Sequence, residues 1–109
     1  MKRLWPLLIL LALACSKDKA TSPSNNTYDV YVVNRTSLSG QGYPLRFIMS
    51  GQAQNVSIDQ TKWIGSYSGY CSWDAQILDN NIYHSVGHGQ INIDRERYCF
   101  VYSSRATWD

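Results

Sequence analysis

Apolar and polar residues alternate with a period of two along most of this chain from Tyr28 onward. This spacing predicts extended strands with one buried face, because successive side chains of a strand point to opposite sides. No window of about 12 residues carries the apolar stripe of a helix, and turn-forming residues recur about every 8 to 12 positions. The sequence therefore predicts an all-β domain, either a small immunoglobulin-like β-sandwich or a small β-barrel, of about seven to eight short antiparallel strands.

The sequence predicts eight strand segments, and the inward-facing residues are clearest in one of them. They span residues 28–34, 45–50, 53–59, 62–66, 71–78, 82–85, 90–94 and 98–103. In the strand 71–78, Cys71 and Trp73 share the inward face with the apolar residues that follow at alternate positions. Gly87 and Gly89 interrupt the later alternation, which indicates a bulge or an irregular edge.

The link between the second and third strands predicts a hairpin register. The Gly-Gln pair at 51–52 fits a type II′ turn, because glycine supplies the positive φ at its first position. That turn sets Phe47 opposite Val56 and Leu45 opposite Ile58, which brings the large apolar side chains to one face.

The amino terminus predicts export. Lys2 and Arg3 precede an apolar run at 7–14, which ends in a small residue before Cys15. Residues 1–14 therefore read as a signal peptide, since the run is too short to span a bilayer.

The run Ala-Leu-Ala-Cys at 12–15 resembles the lipobox of bacterial lipoproteins. The resemblance implies cleavage before Cys15 and attachment of diacylglycerol and a fatty acid such as palmitate to that residue. Ser16 in place of Asp implies sorting to the outer membrane, facing the periplasm or the surface, or a cell-membrane anchor in a Gram-positive organism. Residues 15–27 would form the lipidated cysteine and a flexible polar tether, and residues 28–109 a single β domain.

The charge balance narrows the class of partner. Of the 10 basic residues, Lys2 and Arg3 belong to the predicted signal, which leaves 8 basic against 8 acidic residues. A neutral domain without a basic run argues against nucleic acid as a partner.

Two cysteines remain if Cys15 carries lipid. The exported compartment is oxidising, so Cys71 and Cys99 are expected to form a disulfide. Trp73 beside that bond would resemble the tryptophan packed on the disulfide of immunoglobulin domains. The alternative is a metal site of both cysteines with His84 and His88, but it lacks the close cysteine pair of zinc motifs. We therefore expect no metal site and no cofactor.

Catalytic motifs are weak. The run at 65–69 (Gly-Ser-Tyr-Ser-Gly) places Tyr67 where a nucleophile elbow needs serine. His84 and His88 could pair with Asp94 only as a loose constellation. The sequence predicts that the protein is not an enzyme.

Aromatic residues, 13% of the chain, are the stronger functional signal. If Cys99 faces inward, then Tyr98, Phe100 and Tyr102 lie on the opposite face of the last strand. Together with Trp63 and Tyr67 they form a candidate surface for binding protein or glycan, although about half of the aromatic rings would fill a thin core.

Three functions remain open from the sequence. The first is a non-enzymatic binding module on the cell envelope. The second is a small inhibitor that inserts the loop 65–70 into a hydrolase, which resembles lysozyme-inhibitor lipoproteins in size, anchor and β content. The third is a structural envelope protein without a discrete ligand.

Overall fold

The computed structural model describes residues 26–109 and confirms an all-β fold. Within that range the chain forms eight strands and one 3₁₀ helix at Thr36–Ser39. The strands are β1 (Tyr28–Asn34), β2 (Leu45–Met49), β3 (Gln52–Val56), β4 (Thr61–Tyr67), β5 (Gly69–Asp79), β6 (Ile82–Ile93), β7 (Arg97–Val101) and β8 (Ala106–Trp108).

Two four-stranded sheets pack face to face, so the domain is a sandwich and not a barrel. Sheet A has the strand order β4-β1-β7-β8, and sheet B has the order β3-β2-β5-β6. Sheet B is antiparallel throughout, whereas β1 and β7 of sheet A pair in parallel. The expectation that all strands pair antiparallel is therefore wrong for β1 and β7. These two strands lie near opposite ends of the described chain.

The core lies between the sheets and follows the predicted alternation. In β1 and β2 every second residue is buried, and Cys71, Ala75 and Ile77 line the inward face of β5 as expected. The fully buried apolar side chains include Val30, Val32, Leu45, Phe47, Met49, Val56, Ile64, Tyr67, Ile93 and Val101. Burial of this set supplies the main stabilising free energy, since the gain scales with the apolar area removed from water.

The hairpin of β2 and β3 corrects the predicted register. Its turn is Ser50-Gly51, and both residues have positive φ (51° and 83°), as a type I′ turn requires. Leu45 therefore pairs with Val56, and Ile58 is 43% exposed beyond the strand. The observed register differs from the predicted one by two residues. Because every second side chain of a strand points to the same face, the prediction of which face is buried is still correct.

The two strands expected at 82–85 and 90–94 are one strand, β6. Its pairing with β5 shifts between Ala75 and Gln76, which is the bulge that the glycines indicated. Gly87 lies there against the indole of Trp73, where an added Cβ would come within 2.9 Å of a ring carbon. Glycine is therefore required for the close approach of this edge strand to the core. Strand β8 lies beyond the last predicted strand and was missed.

Asn34 joins three parts of the sandwich through one buried side chain. Its Nδ2 donates to the carbonyl oxygens of Tyr43 (2.8 Å) and Val56 (3.2 Å). Its Oδ1 accepts from the backbone N–H and the hydroxyl of Thr36 (3.1 and 2.8 Å). The segment that carries the chain from sheet A to sheet B is thereby fastened to β1 and β3.

Replacing Asn34 by alanine should lower the free energy of unfolding by about 3 kcal/mol, because several buried backbone groups would lose their partner. Urea unfolding would measure the change. Asn55→Ala, at an exposed position of β3, is the matched control and should cost less than about 1 kcal/mol. Equal effects at both positions would contradict the role given to Asn34.

Candidate binding surface

Stacked aromatic rings cover the outer face of sheet A. Tyr31 of β1 and Tyr98 of β7 stack with centroids 4.8 Å apart and planes 12° apart. Phe100 follows on β7, with its centroid 6.3 Å from that of Tyr98 and its plane 15° away. All three rings are half-buried although they lie outside the sandwich. We call the set Trp63, Tyr31, Tyr98, Phe100 and Tyr102 the aromatic face.

Strand register builds this surface. Tyr31 pairs with Trp63 of β4 on one side and with Tyr98 of β7 on the other, so three aromatic residues form a row across three strands. Directly opposed side chains of neighbouring strands lie about 5 Å apart, within reach of ring contact. The parallel pairing of β1 with β7 is thus what assembles the row.

A hydrogen bond fixes the orientation of the Trp63 ring at the edge of the row. Its Nε1 donates to Asp29 Oδ1 (2.9 Å), and the hydroxyl of Ser66 donates to the same oxygen (3.0 Å). The residue is nevertheless 50% exposed. A large apolar ring with a fixed orientation therefore faces solvent, an arrangement that is common at binding surfaces.

Two arginines lie on rings at the other end. The Arg35 guanidinium is 4.4 Å from the Phe100 centroid, and that of Arg105 is 4.4 Å from the Tyr102 centroid. Arg35 Nη1 also donates to the Tyr102 hydroxyl (3.5 Å). Cations over ring faces are favourable, and these contacts leave the arginine side chains exposed.

The predicted surface residues come together with one exception, Tyr67. Trp63, Tyr98, Phe100 and Tyr102 share the outer face of sheet A, but Tyr67 is fully buried between the sheets. The reason is a bulge, since Val30 pairs with Gly65 but Tyr31 pairs with Trp63, which leaves one extra residue on β4. A bulge reverses the alternation, so residues four apart on β4 point to opposite faces.

Burial has a measurable consequence for Tyr67. It raises the pKa of the phenol, and within residues 26–109 the hydroxyl has no hydrogen-bond partner. The loop 65–70 is likewise not a projecting loop. Residues up to 67 belong to β4, β5 begins at Gly69, and the chain changes sheets at Ser68. The segment assigned to an inhibitory insertion is therefore largely strand.

The structure does not form the expected disulfide between Cys71 and Cys99. Cys99 is a free thiol with no solvent exposure, and burial raises its pKa, with the carboxylate of Asp109 adding to the shift. The two residues belong to opposite sheets. Both side chains are buried in the core, but no bond joins their sulfur atoms.

The histidines lie apart from both cysteines. His84 and His88 are exposed on β6, opposite Ile77 and Asp74 of β5. Among the described residues, no group of three or more metal-ligating side chains comes together. In the part of the chain that the structure describes, neither histidine forms a hydrogen bond or an ion pair with Asp94.

The outer face of sheet B carries a second polar arrangement that sequence reasoning missed. Arg46 lies over Tyr83 (3.8 Å to the centroid) and donates from Nε and Nη2 to Gln76 Oε1 (2.9 and 2.7 Å). Gln76 and Ser85 both donate to Asp74 (2.8 and 2.7 Å). These groups satisfy one another, so the arrangement stabilises the sheet and leaves little polar capacity for a ligand.

Tyr31 was the important omission from the predicted aromatic face. In β1, Tyr31 lies between the buried Val30 and Val32, so its side chain points to the other face of the strand. This alternation could have identified Tyr31 as a residue of the outer face. Its neighbours on β4 and β7 could not be known, because they are distant in sequence.

Cys99 should resist alkylation by iodoacetamide in the native protein at pH 8 and react after unfolding, because its thiol is buried and stays protonated. Mapping of the tryptic fragment 98–105 would measure this, with Thr107→Cys, exposed on the neighbouring strand, as the reactive control. The raised pKa also makes the free energy of unfolding depend on pH. The contribution of this thiol is fully present below the unfolded-state pKa of about 8.5 and is lost as pH rises above it, because the folded protein keeps the proton that the unfolded chain releases. Alkylation that required prior reduction would contradict the free thiol.

Comparisons of this chain with protein-family models, with curated proteins and with solved structures find no match. Among residues 26–109, none of the helices has the length and apolar character needed to cross a membrane.

Proposed function

We propose that this protein is a lipid-anchored lipoprotein of the cell envelope that works as a non-enzymatic binding module for another protein. The observation that carries the proposal is the aromatic face, where Tyr31, Tyr98 and Phe100 stack in register on the outside of sheet A. Rings in this position do not fill the core, which lies on the other side of the sheet.

The composition of the surface favours protein as the partner. Tyrosine, tryptophan and arginine are the residues that dominate the binding energy of protein interfaces. The aromatic face consists of them almost entirely and lies on regular strands, so little conformational entropy is lost when a partner binds. Stacking occupies ring faces that a sugar would otherwise cover, and this favours protein over glycan.

The anchor belongs to the same proposal and rests on sequence. Residues 1–25 lie outside the described residues, so the signal peptide, Cys15 and most of the tether 15–27 are argued from their residues alone. A lipid on Cys15, followed by a flexible tether, would hold the domain near the outer membrane while leaving the aromatic face free.

Processing at Cys15 can be tested by mass. Protein purified from the membrane fraction should have the mass of residues 15–109 plus acyl groups, because cleavage before the cysteine is coupled to lipidation. Cys15→Ser should leave the membrane fraction or keep the signal peptide, whereas Cys99→Ser should still carry lipid. A mature protein without acyl groups would contradict the anchor.

Binding can be tested by photo-crosslinking from the surface itself. Benzoylphenylalanine at Thr107, which pairs with Phe100 on the exposed edge of the aromatic face, should yield a discrete adduct in intact cells. The same group at Asn55, exposed on sheet B, should not. Tyr31→Ala with Tyr98→Ala should remove the adduct. The stability cost is about 1 kcal/mol for the lost ring pair, in addition to the cost of the lost apolar burial.

The adduct also separates the alternatives. A protein partner gives an adduct that protease degrades, whereas a protease-resistant adduct would show a glycan ligand and overturn the choice of protein. Adducts that persist in the double alanine variant would show that the aromatic face is not the binding site.

A further inference from the structure

Charged residues on the outer face of sheet A are separated by sign along the strands. Asp29 lies near the start of β1, and Glu96, which accepts from the Tyr98 hydroxyl (3.4 Å), lies just before β7. Arg35 follows the end of β1, and Arg105 lies in the connection to β8. Because β1 and β7 run parallel, these two acids lie at one end and the two arginines at the other. One more acid, Asp59, lies near the arginine end beside Asn34, where its carboxylate accepts from the Ser37 hydroxyl.

The two ends are far enough apart to act separately. Asp29 and Arg35 are six residues apart on an extended strand, which corresponds to roughly 20 Å. The rings of Tyr31, Tyr98 and Phe100 occupy the stretch between them. Along the strands, the surface therefore has an acidic end, an aromatic middle and a basic end.

Within residues 26–109, the charged groups that define the ends contact only neutral groups, so their charges are not neutralised there by an ion pair. Asp29, Arg35, Glu96 and Arg105 are all exposed. Two further arginines lie near the acidic end, but Arg97 is bonded to Asp94 and to the Asn92 carbonyl. Arg95 donates to the Asp109 carbonyl oxygen (3.2 Å), so it is also engaged within its own chain.

We propose that the partner of the aromatic face is a second copy of this chain, related by a two-fold axis that sets the two β1 strands antiparallel. In that arrangement Asp29 and Glu96 of each copy face Arg35 and Arg105 of the other, and the rings meet in the middle. A two-fold interface must be complementary to itself, and a surface with opposite charges at its two ends meets this condition. The inference rests on the proposed function and names its partner.

The size of the surface indicates a weak dimer. Four strands spaced about 4.8 Å apart form a face smaller than the roughly 800 Å² per partner of a standard interface. We therefore expect dissociation in the micromolar range or weaker in solution. Two copies anchored in one membrane would associate more readily, because confinement raises their effective concentration.

Charge reversal tests the arrangement. The full chain in non-ionic detergent should show a concentration-dependent dimer by sedimentation velocity. Arg35→Glu with Arg105→Glu makes both ends acidic, and Asp29→Lys with Glu96→Lys makes both ends basic. Each variant alone should associate at least ten-fold more weakly than the parent chain, and an equimolar mixture of the two should recover the dimer.

The recovery distinguishes repulsion from misfolding, because a misfolded variant would not regain binding when mixed. Dimers that survive in either variant alone would place the interface elsewhere and overturn the inference. A parent chain that stays monomeric, while the crosslink from Thr107 still gives a protein adduct of another mass, would also overturn it and leave the proposed function standing. Loss of both signals would count against both proposals.

Discussion

The buried amide of Asn34 is the interaction on which the arrangement of the two sheets depends. It ends β1, accepts from Thr36, and donates to carbonyl oxygens in the crossing segment and in β3. Backbone bonds add to this point, because Asn34 also exchanges hydrogen bonds with the turn at Asp59 and Gln60. A polar group buried this deeply is tolerated only when its bonding capacity is used. The side-chain bonds fix the crossing segment and β3 to the end of β1, the strand that lies between β4 and β7 in sheet A.

The position of β1 also assembles the aromatic face. A strand with two neighbours places its outward residues in rows, and the row of Trp63, Tyr31 and Tyr98 exists because β1 pairs on both sides. The inward residues of the same strands, Val30, Val32 and Cys99, are fully buried. Sheet A therefore has two apolar faces, one packed on sheet B and one facing solvent, and the proposal of a binding module rests on the second. The order of charges along it, acidic at one end and basic at the other, is the basis of the dimer that we propose.

Much of the local structure could be predicted from the sequence, and the errors have a common cause. Strand β1 was predicted with its observed bounds, and the inward faces of β2 and β5 were correct. The β2–β3 hairpin was wrong by two residues, because registers that differ by two bury the same side chains. Tyr67 was placed outside because the bulge that turns it inward needs the pairing of β1 with β4 to be known. The expected bond from Cys71 to Cys99 does not form, because the type of compartment and the spacing of two cysteines carry no information on which side chains pack side by side.

What the sequence by itself determined is the alternation of side chains: which residues of each strand are apolar on one face, and hence that the chain forms an all-β domain. The short-range physics of extended backbones is sufficient for that, since the period of two depends only on neighbouring residues. Only the tertiary structure decided that β1 and β7 pair in parallel, that β4 bulges, and that Tyr31, Tyr98 and Phe100 meet in one stack. Those contacts join residues far apart in the chain, and their formation depends on the packing of both sheets at once.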